Sequence, residues 1–141
     1  MKKENDDFLV KKYPKIFIQR SWGMNESCMY WGFECGDGWF TILDNLCYEI
    51  QSYLDKNIHI EQVVALQVKE KFGDLCFYFS GGDSHTSDLI RESEQLSEIT
   101  CEDCGSMENV GKTSTGWIST ICEKCSEKPN YVNNKWKVYN K

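Results

Sequence analysis

The sequence predicts an α+β fold in which a small helix–hairpin–helix core is followed by a smaller C-terminal module. Three observations lead to this prediction. Apolar residues recur with helical spacing over residues 39–55, and two β-rich runs around a glycine-bearing turn come next. Two Cys-x-x-Cys pairs then stand in the last third of the chain. The 141 residues therefore divide into a core domain, 1–100, and a cysteine module, 101–141.

The first two helices follow from apolar spacing and from turn residues. Residues 5–13 are expected to form a short helix, which Pro14 ends because proline cannot continue a helix. The second helix spans roughly 39–55, and Asp37 stands where its N-cap belongs. One apolar stripe runs along that helix, formed by Phe40, Leu43, Leu46, Cys47, Ile50 and Leu54.

Residues 60–80 change to the period of a β-strand, and the turn around Gly73 predicts a hairpin. Gly81 and Gly82 end the hairpin. Asp83 or Ser84 is then expected to cap an amphipathic helix over about 86–99. Its apolar side comprises Leu89, Ile90, Ser93, Leu96 and Ile99.

The two cysteine pairs, Cys101 with Cys104 and Cys122 with Cys125, predict one zinc site and a zinc-ribbon-like module. Seventeen residues separate the pairs, within the range of four-thiolate sites. Gly105 allows the positive φ that a metal-binding knuckle needs. Four thiolates fill a tetrahedral shell, so the zinc would be structural. The alternatives are unliganded thiols or two disulfides, which a reducing compartment disfavours.

Charge and hydropathy narrow the classes of partner. The net charge of −6 argues against duplex DNA, whose phosphates require clustered lysine and arginine. The N-terminus lacks the apolar run of a secretory signal, and no apolar stretch approaches the ~20 residues of a membrane span. A cytoplasmic protein without a membrane partner is expected.

Two further features leave alternatives open. Cys28 and Cys35 could form a second metal site. The acidic run from Asp83 to Glu108 suits either a solvated helix face or a surface that binds a basic partner.

Three motifs, which follow one another in a fixed order, make this chain similar to a known group of proteins. They are Trp31-Gly-Phe-Glu-Cys-Gly-Asp-Gly-Trp39, Val68-Lys-Glu-Lys-Phe-Gly73, and Cys101-x-x-Cys104-Gly with its closing Cys-x-x-Cys. Over roughly residues 8–125 the chain resembles a family of small bacteriophage and prophage proteins. That family has no settled biochemical activity. The resemblance implies a phage accessory protein that acts on host machinery or on host immunity.

The loop over residues 31–39 is the main candidate for ligand or partner binding. Glycines flank Asp37 just before a helix N-terminus, which favours an anion. Trp31 and Trp39 could stack a base or pack against a partner's side chain. Glu34 argues against phosphate, because a second carboxylate would repel it. In the alternative interpretation the loop is a structural turn, with its tryptophans in the core and Asp37 capping the helix.

Two enzymatic alternatives are weaker. His59 and Glu61 together with the first cysteine pair resemble the ligands and proton carrier of zinc deaminases, but Thr100 stands where that signature has proline. Gln67 and Lys69 lie on one strand face near two carboxylates, which resembles metal-dependent nucleases. A solvated strand face explains the same pattern.

The C-terminal stretch is basic and aromatic. From Lys112 onward it carries six lysines against two glutamates, and it could bind single-stranded nucleic acid. Trp117 is expected to pack beneath the zinc-binding turns. A solvated, partly ordered tail is the simpler expectation after Pro129, and it includes the aromatic residues Tyr131, Trp136 and Tyr139.

These observations favour a non-enzymatic, zinc-containing binding protein that engages a host protein. The residues expected to contact the partner are Trp31, Glu34, Asp37, Trp39 and Trp117. The second hypothesis is capture of a nucleotide or nucleotide signal by the loop from Trp31 to Trp39. A nuclease or a deaminase is the third.

Overall fold

The structure is a computed structural model that describes residues 1–138, and it has the mixed α+β character that the sequence predicts. The helices are α1 (Lys3–Lys12), α2 (Phe40–Lys56), α3 (Ser84–Ser97) and the single turn α4 (Glu123–Ser126). The strands are β1 (Phe33–Glu34), β2 (Val64–Lys71), β3 (Asp74–Ser80), β4 (Val110–Thr113), β5 (Thr120–Cys122) and β6 (Trp136–Val138). Three 3₁₀ turns lie between α1 and α2: Ile18–Ser21, Cys28–Trp31 and Asp37–Trp39. Tyr139, which the sequence assigns to the tail, lies outside the described residues.

The first sheet has the strand order β1-β2-β3. β1 runs parallel to β2, and β2 and β3 form the antiparallel hairpin expected from residues 60–80. Lys71 pairs with Asp74, so the turn consists of Phe72 and Gly73 alone. Both have positive φ, 53° and 84°, as a type I′ turn requires.

One face of this sheet and the apolar stripe of α2 enclose the main core. The stripe is buried from Leu43 to Leu54, and Phe40 lies partly buried at its start. Segments before α2 complete the core with large apolar side chains. The largest fully buried members of the main core are Trp39, Phe17, Leu9, Ile16, Met29, Leu43, Ile50, Leu75, Val63 and Val68.

Helix α3 packs on the core with a more polar face than its apolar spacing suggests. Asp83 caps it, and Asp83 and Thr86 form a capping box. Towards its C-terminus the helix buries Ser97, whereas Leu96 is exposed. The Ser97 hydroxyl accepts the Leu75 N–H, and a Glu94 carboxylate oxygen accepts the Phe77 N–H, each at 2.9 Å. Since β3 is an edge strand, its free donors need acceptors, and the polar side chains of α3 supply them.

The second sheet belongs to the cysteine module and has the strand order β5-β4-β6. β4 and β5 form an antiparallel hairpin between the two cysteine pairs. β6 joins the other edge of β4, and the indole N–H of Trp136 donates to the Ile121 carbonyl at 2.9 Å. Residues 136–138 are therefore a strand rather than the solvated tail expected from their composition.

The module has a small apolar cluster of its own, separate from the main core. It comprises Cys101, Val110, Ile121, Cys122 and Cys125, with Tyr131 and Trp136 packed against it. The members of the main core extend from Leu9 to Ile90. The domain boundary at residue 100 stays a prediction, and the two clusters lie on either side of it.

The tip of the β2–β3 hairpin forms one contact between the core and the module. The Thr120 hydroxyl donates to the Gly73 carbonyl at 2.6 Å, and the ammonium of Lys112 lies 2.5 Å from an Asp74 carboxylate oxygen. No helix within residues 1–138 is long and apolar enough to cross a membrane.

Candidate metal centre

The four cysteines of the two pairs converge on one point. All four sulfur atoms lie within 4.8 Å of one another, and the Cys104 and Cys122 sulfurs are 3.7 Å apart. A tetrahedral ion with metal–sulfur bonds of about 2.3 Å would place its ligands roughly 3.8 Å apart. The cluster therefore has the composition and the spacing to hold a metal ion.

Tight backbone turns bring the cysteines together. In the first pair, Gly105 has φ of 78° and its N–H donates to the Cys101 carbonyl at 2.8 Å, as expected for a knuckle. In the second pair, Cys122 ends β5 and Cys125 lies in the helical turn α4. The N–H of Glu123 donates to the carbonyl of Asn109, which ties the second turn to the start of β4.

Burial differs among the four thiols. Cys101, Cys122 and Cys125 are buried, whereas Cys104 is exposed at the surface. Burial, followed by hydrogen bonding to Cys122, raises the pKa of the Cys125 thiol. A bound cation would reverse this preference, because a coordinating thiol loses its proton.

The loop before α2 docks against the first knuckle. The N–H of Gly38 donates to the Glu102 carbonyl at 2.7 Å, and the N–H of Gly36 donates to the Glu102 carboxylate at 3.0 Å. Burial raises the pKa of the Glu102 carboxyl to about 7, although the Gly36 N–H opposes this shift. Sequence reasoning missed Glu102, since a glutamate inside a Cys-x-x-Cys turn is expected to face solvent.

Trp39 lies inside the core, with no exposed surface, and its indole N–H donates to the Thr100 carbonyl at 2.9 Å. It therefore presents no ring face to a ligand. Trp31 is different: 60 % of it is exposed, and its ring meets Tyr30 edge-on with centroids 5.1 Å apart. The structural-turn interpretation places both tryptophans in the core. Trp39 lies there, whereas Trp31 is exposed.

The two carboxylates of the loop hold neighbouring segments. Asp37 does not cap α2, so that expectation is wrong: its Oδ1 accepts the Lys2 N–H and the Asn5 side-chain amide, both at 2.9 Å. It serves the N-terminus of α1 instead. Burial tends to raise the pKa of Asp37, but these hydrogen bonds prevail and lower it. Glu34 is exposed and accepts from Gln67 at 3.3 Å.

Trp117 lies away from the zinc-binding turns, contrary to the expectation that it packs beneath them. It is 72 % exposed, and its indole N–H donates to a carboxylate oxygen of Glu70 at 2.9 Å. The residue therefore belongs to the contact with the β2–β3 hairpin.

No family model, no curated protein and no solved structure matches this chain.

The residues considered for enzymatic chemistry are not gathered into a second metal-binding group. Among residues 1–138, the four-cysteine set is the one cluster of three or more side chains placed to hold a metal ion, and His59 is not part of it. Of the carboxylates near Lys69, Glu70 accepts the N–H groups of Gly73 and Trp117, and Asp74 pairs with Lys112. These two acids support the hairpin tip.

Proposed function

We propose that this chain is a non-enzymatic, zinc-containing binding protein, a phage accessory factor that engages a host protein in the host cytoplasm. Its role would be host takeover or counter-defence. The observation that carries the proposal is a set of exposed apolar side chains in one segment before α2. We call it the aromatic surface, and it comprises Ile18, Trp22, Met24, Tyr30 and Trp31.

The composition of the aromatic surface supports a protein partner. Tryptophan, tyrosine and methionine are enriched at the centres of protein interfaces. The two 3₁₀ turns that carry most of these side chains, Ile18–Ser21 and Cys28–Trp31, contact each other. Within the turn Cys28–Trp31, Met29 is fully buried while Tyr30 and Trp31 point outward. Because the turns are anchored in this way, the exposed rings would lose little conformational freedom on binding.

The metal would have a structural role and would take no part in a reaction. We infer that one zinc ion is bound by Cys101, Cys104, Cys122 and Cys125, whose four thiolates leave no open coordination position. The module would then be zinc-ribbon-like, attached to a helix–hairpin–helix core. The resemblance to small phage and prophage proteins supports the phage origin.

The test is recovery and reconstitution of a partner. The immobilised protein is exposed to a bacterial lysate, the retained protein is identified, and its affinity is measured by calorimetry with purified components. We expect the double change Trp22→Ala and Trp31→Ala to weaken binding by about 30-fold or more, as truncation of central aromatic residues does at interfaces.

The matched control is Trp117→Ala, which removes a tryptophan that is even more exposed, from another part of the molecule. We expect this variant to keep the affinity of the unchanged protein. Full affinity of the Trp22→Ala, Trp31→Ala variant, or loss of affinity in Trp117→Ala alone, would contradict the proposal.

A further inference from the structure

Phe72 combines an unfavourable backbone conformation with an exposed side chain. It has φ of 53°, a value that bulky residues rarely adopt, and the position favours asparagine or glycine in a type I′ turn. Its side chain is 70 % exposed, so little packing offsets the backbone cost. Strained residues of this kind concentrate at binding and catalytic sites. Phe72 is therefore a candidate for a role in binding.

Trp117 presents a second exposed ring next to this turn, and its position is fixed. Its indole N–H is bound to Glu70, and its carbonyl accepts the Thr113 hydroxyl at 2.9 Å. The preceding residue, Gly116, has φ of 71°. Because the polar N–H already has a partner, the exposed ring face is held in place and remains available for stacking.

Phe72 and Trp117 line one groove together with two lysines. The groove has a volume of about 320 Å³ and is lined by Lys69, Glu70, Lys71, Phe72, Gly116, Trp117 and Ile118. Neither lysine forms an ion pair with any residue in 1–138. The single carboxylate, Glu70, is buried and accepts two N–H groups. Two exposed rings and two lysines thus line a largely apolar groove on a protein of net charge −6.

We propose that the groove between Phe72 and Trp117 binds single-stranded nucleic acid. Two exposed rings would stack successive bases, and Lys69 and Lys71 would contact the phosphates between them. This combination of aromatic platforms and lysines is how proteins hold single strands without reading their sequence. The proposal concerns a different surface from the aromatic surface and does not depend on it.

An acidic peptide is the alternative occupant, and the groove favours it less. An acidic peptide would use the two lysines, but it would not account for two large rings held outward, one of them at a backbone cost. A single strand would use both rings for stacking and both lysine ammonium groups for contacts with phosphates. Duplex DNA is disfavoured because its bases are already stacked on one another and are not free to stack on the two rings.

The test is fluorescence anisotropy of the full-length protein with a labelled thymidine strand of about ten nucleotides. We expect binding at about 50 mM salt that weakens by 200 mM. Phe72→Asn and Trp117→Ala should each lower the affinity about 5-fold or more. Lys69→Ala with Lys71→Ala should reduce the slope of log affinity against log salt by roughly 1.4, about 0.7 for each lost phosphate contact.

Phe72→Asn keeps the proposal falsifiable, because asparagine suits the turn and the variant should fold at least as well as the unchanged protein. Trp31→Ala serves as the control for loss of an exposed tryptophan elsewhere, and we expect it to bind the strand normally. The proposal is overturned by absence of binding at low salt, or by unchanged affinity in Phe72→Asn and Trp117→Ala. Tighter binding of a labelled glutamate-rich peptide, lost in the same two variants, would assign the groove to a protein partner instead.

Discussion

At the scale of single residues, two glycines determine how closely the loop before α2 approaches the first cysteine pair. A Cβ atom on Gly38 would lie 2.1 Å from the Cys101 carbonyl oxygen, and one on Gly36 would lie 2.4 Å from the Glu102 carbonyl oxygen. Both obstacles are backbone atoms, which cannot rotate away as a side chain can. These positions require glycine for close approach, even though neither has a positive φ.

Substitution Gly38→Ala is expected to lower the free energy of unfolding by about 1–3 kcal/mol, because the added methyl group forces apart two packed backbone segments. Denaturant unfolding followed by tryptophan fluorescence measures this change. Gly23→Ala is the matched control, since its added Cβ would meet mainly the flexible side chain of Glu26. Equal losses in the two variants would argue against the close approach as the cause.

At the scale of elements, the hairpin β2–β3 is stabilised from two directions. Helix α3 satisfies donors along the edge strand β3, and the Glu70 carboxylate accepts the Gly73 N–H at 2.6 Å across the turn. The positive φ of Phe72 opposes these stabilising contacts, because it is unfavourable for a bulky residue. The element thus retains one locally unfavourable residue at its tip, within an otherwise well-supported hairpin.

Substitution Phe72→Asn is expected to raise the free energy of unfolding by about 1 kcal/mol, because asparagine tolerates the left-handed conformation that phenylalanine resists. Thermal unfolding monitored by circular dichroism checks the increase. Ile58→Asn is the control: it replaces another exposed apolar residue, one without a positive φ, and a change within about 0.5 kcal/mol is expected. A lower stability of Phe72→Asn would show that the ring packs usefully in the folded protein.

The elements also show what sequence alone can predict. α1, α2, the hairpin and the four cysteines lie where periodicity and spacing place them, because these signals are local. β6 was missed because a three-residue strand has no usable period and depends on β4 for its existence. The exposed position of Trp117 and the buried position of Trp39 depend on contacts with Glu70 and Thr100, which are remote in the sequence.

At the scale of the whole molecule, polar contacts at two places within residues 1–138 join the segments that carry the two apolar clusters. One contact links Gly36 and Gly38 to the knuckle residue Glu102, and the other links the hairpin tip to Thr120. Both contacts end beside the cysteine cluster: Glu102 lies within the first Cys-x-x-Cys turn, and Thr120 lies two residues before Cys122. A metal bound there would therefore act on two separate parts of the core.

Removal of metal with a chelator is expected to lower amide protection in residues 101–138, in the loop 36–39 and at the hairpin tip, while α2 stays protected. Metal binding to a four-thiolate module is coupled to its folding, so its loss releases the segments that depend on it. Hydrogen exchange with mass spectrometry measures this pattern, and the metal content is determined on the same samples. Cys47→Ala, which changes a buried thiol outside the cluster, should keep both metal and protection. Uniform loss over the whole chain, or none, would contradict the prediction.

The contact between the loop before α2 and the knuckle also constrains how the chain matures during its synthesis. Glu102, which accepts the Gly36 N–H, lies 66 positions later in the chain. At a synthesis rate of about 5–20 residues per second, the ribosome adds Glu102 roughly 3–13 s after Gly36. Throughout this interval the nascent N-terminal part carries a loop whose donors, including the Trp39 indole, lack their native acceptors. If the emerging cysteines bind a metal ion, its supply would then determine when the loop before α2 gains its native contacts.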